Sequence, residues 1–348
     1  MKNTLYLISN EKIYQNNGMF FCDNLDMKST PEGLNNYFEV KVIARKSKVS
    51  RSQSIYLKTI KTFSNIFSFI LEVFKSTKNK NSQFLIVSLT PYTFFAGISL
   101  FICGKKPFLY LRSNGYEEYK IILGTFGKFI YHLMFILIAR LSNLISCREY
   151  ILMGKKGYVV SPSQLDPTWL QNHVKPTVSK IKLIYVGRIK KEKGVFSLLS
   201  LLKAQTKINL TIVGAGEEDA NVISQSNVNV IRIVKDKKEL IKLYDNHNIT
   251  ILPSFTEGYP MVILESLSRL RPVIVFKDIE HVVENFNGVF VSNRDYPSLL
   301  EKINYVMNNY NSIQKSMETN KLPDNESFIN QFKEILSKKK FDINNSIS

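Results

Sequence analysis

Two glutamates, Glu257 and Glu265, stand in the stretch PSFTEGYPMVILES with seven uncharged residues between them. A buried strand turning through Gly258 and Pro260 into a core helix accounts for that spacing on its own, so the surroundings must decide what the acids do. Upstream, YVGRIKKEKG sets Arg188 and Lys193 five positions apart across a turn that follows a strand. An arginine fork and a lysine point charge converging there suit a diphosphate, although a solvated basic loop has the same composition. VGAGEE puts Gly214 and Gly216 between a strand and a helix. Missing side chains admit close backbone approach to a ligand, yet a GxG without its third glycine is a weak dinucleotide signal and a tight turn explains it as well. Pro260 opens the helix MVILESLSRL, whose first N–H groups and positive dipole end form an anion site facing the two cations. Carboxylates accept hydrogen bonds from paired hydroxyls, so one acid can hold a ribose and the other a sugar. Two acids, two polyols and a diphosphate between them describe a nucleotide sugar.

These residues need elements to position them. Strand patterns run at TLYLI, YFEVKVIA, FLIVSL, PFLYL and GYVVS, with helical patterns between them, notably over 54–75 and 121–144. After a proline-rich stretch at 161–180 the alternation resumes: strand KLIYV, helix 194–203, strands INLTIV and NVIRIV, helix 237–246, strand ITIL, the helix after Pro260, strand PVIVF, a short helix 280–285, strand GVFV and helix 296–309. Strands separated by helices of this length require right-handed crossovers and a mainly parallel sheet, with ligands bound beyond the carboxyl ends of the strands. The expected class is α/β, with a first domain over 1–162, a second over 163–324 that binds the ligand, and a carboxyl-terminal helix and tail over 325–348 packing back on the first.

The set GRxxxxKG, GAGEE and PSFTEGYPMVILES, followed by RPVIVF and ENFNGVFV, resembles the retaining family 4 glycosyltransferases of the GT-B fold, also described as glycosyl transferases group 1. The resemblance covers about residues 181–310 in the family's order and spacing, and is faint before them. It implies two Rossmann-like doubly wound domains facing across a cleft, and a hexosyltransferase of the EC 2.4 class that needs neither metal nor other cofactor. Arg188 and Lys193 would neutralise the donor diphosphate and Glu257 would bind donor-sugar hydroxyls, forming the catalytic set. Glu265 would bind the ribose, while Gly258, Tyr259, Pro260, Met261, Val262, Gly214 and Gly216 would line the donor. Members carry a glycine-rich loop and a histidine in the first domain. Here RSNGYEEY follows PFLYL, which leaves Arg112, Asn114 and Glu117 as acceptor-side candidates. Arg271 stands where a glycine is usual before PVI, and FKD replaces a glycine pair after that strand. The implied reaction moves a sugar to a lipid-linked or surface-polysaccharide acceptor. Another GT-B enzyme, such as a sugar-nucleotide epimerase, and a basic nucleic-acid-binding protein are the alternatives.

Composition narrows these. The 348 residues carry 47 Lys and Arg against 29 Asp and Glu, a formal charge of +18 that calls for a polyanionic partner. No RNA-binding, zinc or helix-turn-helix pattern accompanies the charge, so a nucleic-acid partner is not expected. The basic first domain and the helices around 120–140 point instead to an anionic membrane surface, and to a cytoplasmic protein held peripherally on the inner face of the cell membrane. Cys22, Cys103 and Cys147 are odd in number and far apart, as in a reducing compartment. MKNTLYLISN lacks the apolar core of a signal peptide. Residues 84–103 are uncharged and long enough to span a bilayer, but Pro91 and the strand composition of FLIVSL read as a strand, a turn and a buried helix. Residues 129–139 suit a core or in-plane membrane helix. His132 reads as a core or interface residue and His281 as part of an exposed helix.

Overall fold

Strand β1 (Thr4–Asn16) begins with the apolar run LYLI at 5–8, of which Leu5, Leu7 and Ile8 are fully buried. In the computed structural model it is the centre of the first sheet. The structure describes residues 2–338 apart from 177, 204, 206, 215, 217–224, 233, 235 and 284–285. The chain divides into two units, one of residues 1–164 with 325–348 and one of 165–324.

In the first unit β1 is followed by β2 (Met19–Cys22), α1 (Asp26–Leu34), β3 (Glu39–Lys46), β4 (Gln53–Ile55), β5 (Thr59–Phe63), α2 (Ile66–Ser76), β6 (Gln83–Val87), α3 (Pro91–Ile102), β7 (Phe108–Leu111), α4 (Gly115–Leu141), β8 (Asn143–Ser146) and β9 (Gly157–Val159). The parallel part runs β5-β3-β1-β6-β7-β8-β9, and the antiparallel strands β2 and β4 extend the far end of β1 beyond a bulge between Ile8 and Lys12. The helix expected over 54–75 is therefore two short strands and a shorter helix. Local apolar composition supports both outcomes, and pairing with β3 and β2 decided for strands. Likewise NLIS, read as a helix end, is β8 between β7 and β9.

The second unit contains α5 (Pro167–Leu170), β10 (Ile181–Val186), α6 (Val195–Leu202), β11 (Ile208–Val213), β12 (Val228–Ile231), α7 (Lys237–Asp245), β13 (Ile249–Leu252), α8 (Met261–Ser268), β14 (Val273–Phe276), β15 (Val289–Ser292), α9 (Tyr296–Asn308) and α10 (Tyr310–Met317). Its sheet is wholly parallel in the order β12-β11-β10-β13-β14-β15. The order reverses between β10 and β13, which places a topological switch point at the carboxyl ends of those two strands. Strands β13 and β14 are buried along their whole length, as expected of strands covered on both faces by helices. The short helix expected at 280–285 is a 3-10 turn over Lys277–Val282, and positions 284–285 lie outside the described residues.

Residues 165–174, in the proline-rich stretch, belong to the second unit, as its expected bounds of 163–324 require: Trp169 is buried with its ring 5.8 Å from Tyr244. Arg269 donates to the carbonyls of Trp169, Gln171 and Asn172 and doubly to Asp245, and Arg271 donates to the carbonyl of Val174. Arg271, the residue in place of the usual glycine, also holds the carbonyls of Tyr244, Asp245, His247 and Arg269, so it is a buried strut. The last helix, α11 (Asn325–Ser337), packs into the first unit: Phe328, Ile329, Phe332, Ile335 and Leu336 are buried at helical spacing, and Phe332 meets the Tyr110 ring edge-on at 4.9 Å.

Candidate functional site

Beyond β10 the chain turns through Gly187 and Arg188 into a 3-10 turn, Lys191–Lys193, that ends on Gly194 at φ 67°. Beyond β13 it runs through Pro253 to Pro260 and into α8. These two loops are stitched together. The Phe255 N–H donates to the Glu192 carbonyl at 3.0 Å, and a Cβ on Gly194 would lie 1.8 Å from the Pro253 oxygen, so only glycine fits there. The stitching brings Lys193 onto Glu257, Nζ to Oε1 at 2.7 Å, with Ser254 Oγ donating to the same oxygen at 2.7 Å. Side-chain exposure is 20% for Lys193 and 11% for Glu257, so the pair is largely withdrawn from water. Arg188 is exposed, and its side chain has no ion-pair partner among the described residues. Its carbonyl accepts from the buried Tyr185 hydroxyl at 2.7 Å, whose pKa is driven up by burial and then by Glu257.

Helix α8 starts without a side-chain cap. Pro260 sits at the N-cap, one position earlier than the expected first helical residue, and offers no side-chain acceptor. The first N–H bonded back at this helix start is that of Ile263, to the Pro260 carbonyl, so those of Met261 and Val262 have no intrahelical acceptor and remain available to an anion. Farther in, the half-buried Glu265 accepts from the Tyr244 hydroxyl at 2.8 Å. Burial raises the Glu265 pKa, and the Tyr244 hydrogen bond only partly opposes this. The partly buried Tyr259 and Met261 side chains pack on the cluster of Trp169, Ile184, Tyr244 and Leu264, so these two residues anchor the start of the helix.

The two glycines of GAGEE have a packing role. A Cβ on Gly214 would lie 1.9 Å from the Gly187 oxygen, and one on Gly216 would lie 2.0 Å from the Ile189 oxygen. The loop after β11 thus lies directly against the loop carrying Arg188. Glu217 and Glu218 lie outside the described residues.

Two residues that hold this site were not assigned to it from sequence. Arg294, just beyond β15, donates to the carbonyls of Pro253 and Ser254, pairs with Asp278 at 2.7 Å, and stacks on Phe255 with its guanidinium 4.0 Å from the ring centroid. His281 donates from Nε2 to the Glu257 carbonyl at 2.9 Å, a positioning contact that its place on an exposed turn did not reveal. Both lie just past strand ends, which is the signal that could have found them.

The first-unit candidates serve local structure. Arg112 donates to Ser88 Oγ and Asp26 Oδ2, both at 3.1 Å, tying α1 to the end of β7. Asn114 caps α4 by accepting from the Tyr116 N–H, and Glu117 lies 3.9 Å from Lys120. Among the described residues, no three His, Cys, Asp or Glu side chains gather in a metal-binding group.

Residues 166–322 match the family described as glycosyl transferases group 1, a segment that carries every second-unit site residue named above. A capsular polysaccharide biosynthesis glycosyltransferase, CapM of Staphylococcus aureus, is 29% identical over 185 residues, which is 48% of either chain. An N,N'-diacetylbacillosaminyl-diphospho-undecaprenol alpha-1,3-N-acetylgalactosaminyltransferase of Campylobacter jejuni is 25% identical over 134 residues, 36% of this chain and 35% of that one. The chain thus matches less than half the length of these curated relatives. The structure of Anabaena Alr3699/HepE in complex with UDP-glucose superposes with a TM-score of 0.71 at 14% identity, covering 96% of this chain and 99% of that one. The fold is that of the GT-B glycosyltransferases, two Rossmann-like parallel-sheet units.

Proposed function

We propose that the protein is a retaining, metal-independent glycosyltransferase of the family 4 type. It moves a sugar from a nucleotide-sugar donor to a lipid-linked or surface-polysaccharide acceptor on the cytoplasmic side of a membrane. The observation that carries this is the uncapped start of α8 beside the Lys193–Glu257 pair and the exposed Arg188, all at a strand-order switch point. A diphosphate satisfies these groups together: the helix N–H groups, the arginine fork and the lysine are donors without a full complement of acceptors. Glu257 Oε1 is occupied by Lys193 and Ser254, which leaves its second oxygen for a sugar hydroxyl. Glu265, inside the helix, suits the ribose.

In the reaction the bond from the anomeric carbon to the β-phosphate oxygen breaks and a bond to the acceptor oxygen forms on the same face. The acceptor proton passes to the departing phosphate, as the resemblance implies, so no enzyme nucleophile is required. Arg188, Lys193 and the helix start lower the barrier by stabilising charge as it develops on the diphosphate. The capsular polysaccharide biosynthesis role of the Staphylococcus aureus relative and the diphospho-undecaprenol acceptor of the Campylobacter jejuni relative support acceptors of the polysaccharide and lipid-diphosphate kind.

The test is a thermal-shift screen against UDP-, GDP-, dTDP- and CMP-sugars, repeated with Glu265→Ala and with EDTA. Stabilisation by one nucleotide class, lost in the variant and indifferent to EDTA, is expected. A folded protein that no donor stabilises would refute the reading.

A further inference from the structure

Helix α4 contains 27 residues and is long and apolar enough to cross a membrane by length and composition, yet it does not run straight. Gly124 has φ 68° and ψ −156°, far from helical values. A straight helix would separate Tyr116 from Tyr131 by about 22 Å at 1.5 Å per residue. Their ring centroids are 4.9 Å apart, Tyr119 lies 5.3 Å from the same ring, and the Tyr116 hydroxyl meets His132 Nδ1 at 2.9 Å. Two helical limbs are therefore folded against each other at Gly124. Glycines permit the contact: a Cβ on Gly127 would lie 2.2 Å from the Tyr119 oxygen, and one on Gly115 would lie 2.0 Å from the Tyr131 ring.

The bend of this hairpin is apolar and bare. Positions 120–126, KIILGTF, are exposed without interruption, with Ile122 at 72% and Phe126 at 68% exposure. From Phe126 the exposed apolar stripe continues along the second limb through Phe129, Leu133 and Leu137, at helical spacing. The neighbouring α3, expected to be buried, adds exposed Phe101 and Ile102 before Lys105 and Lys106. Lys120 and Lys128 flank the bend, and no acidic residue occurs from 120 to 141. The nearest acids on the hairpin are Glu117 and Glu118, on its first limb.

We propose that this hairpin is a membrane anchor whose tip, Ile121, Ile122, Leu123 and Phe126, inserts among the acyl chains of an anionic bilayer while Lys120 and Lys128 bind headgroup phosphates. A rigid protein face can cover a stripe from one side. A convex tip bare along the whole bend is covered only by a fluid apolar phase that closes around it, and the flanking lysines sit where a bilayer presents negative charge. The inference rests on the first unit alone and is independent of the donor site.

The test is flotation of the full chain with phosphatidylcholine vesicles, with and without phosphatidylglycerol. Ile122→Ser with Phe126→Ser should weaken partitioning about 100-fold, from roughly tenfold per apolar side chain withdrawn. Lys120→Ala with Lys128→Ala should weaken it about 30-fold toward the anionic vesicles only. All these side chains are exposed, so an unchanged melting temperature of each variant serves as the reference for folding. With Phe126→Trp, tryptophan emission should shift to the blue on vesicle addition and be quenched by brominated acyl chains, against the background of the buried Trp169. Equal binding by wild type and both double variants, or no spectral change, would overturn the proposal. So would absence of vesicle binding with a dimer that the serine variant dissociates, since a second copy would then cover the tip.

Discussion

Arg188 and Lys193 are both assigned to the diphosphate, but the structure holds them differently, and that difference makes a sharp prediction. Arg188 is exposed without an ion pair among the described residues, whereas Lys193 sits 2.7 Å from Glu257 in a pair only 20% and 11% exposed. A charge-assisted hydrogen bond contributes about 1.5–3 kcal/mol, so either alanine variant should weaken donor binding about 10- to 150-fold. Folding stability should separate them. Arg188→Ala removes nothing the fold uses and should leave Tm unchanged. Lys193→Ala leaves a largely buried carboxylate with Ser254 alone, at a cost of about 1–3 kcal/mol. For a unit of this size that is a drop of roughly 2–12 °C. Lys193→Ala with Glu257→Gln should recover most of the lost stability and none of the binding. Calorimetric titration with the nucleotide and nucleotide sugar that stabilise the wild type, with melts of each free variant, reads affinity and stability separately. Equal Tm losses, or full donor affinity in Arg188→Ala, would refute the assignment.

Glu265 gives a pH prediction. Its pKa is raised by burial, so the folded state favours the protonated acid. That contribution is present below the ordinary glutamate value of about 4.3 and is lost as pH rises through the raised folded value. Glu265→Gln should therefore melt higher than wild type at neutral pH, with the advantage vanishing in acid, while donor stabilisation is lost; a variant that melts lower at neutral pH contradicts the burial argument. Asp245→Ala leaves Arg269, 1% exposed, without its carboxylate, a cost of about 3–5 kcal/mol. Its Tm should fall by roughly 6–20 °C, and a melt within about a degree of wild type would mean the carbonyl contacts alone suffice.

Parts of this protein are readable because the signal is local. The long alternation of apolar strands and periodic helices after residue 180 specified a parallel sheet, since each element buries its own pattern wherever its neighbours lie. The spacing of Glu257 and Glu265 around a helix start is equally local, because the turn at Gly258 to Pro260 and the helix after it follow from residue type. The amphipathic residues of 325–337 likewise required a surface to cover.

Other features depended on partners distant in the chain, which spacing does not encode. Whether 54–75 became helix or strand was decided by pairing with β3 and β2. The need for glycine at 214 and 216 arises from carbonyls of a loop over twenty residues earlier. Arg271, which as a sequence reads as a lost glycine, has a role only once five carbonyls surround it. Arg294 became visible only when the fold set it on the loop that carries Glu257. The apolar run of 121–137 shows the division most plainly: composition makes it a helix that avoids water, and one glycine conformation at 124, stabilised by tyrosine contacts across the bend, turns it into a tip. Sequence alone determined which segments must bury apolar surface and which side chains carry charge. The tertiary structure decided which of those charges meet, because meeting requires groups far apart in the chain to share a few ångströms of space.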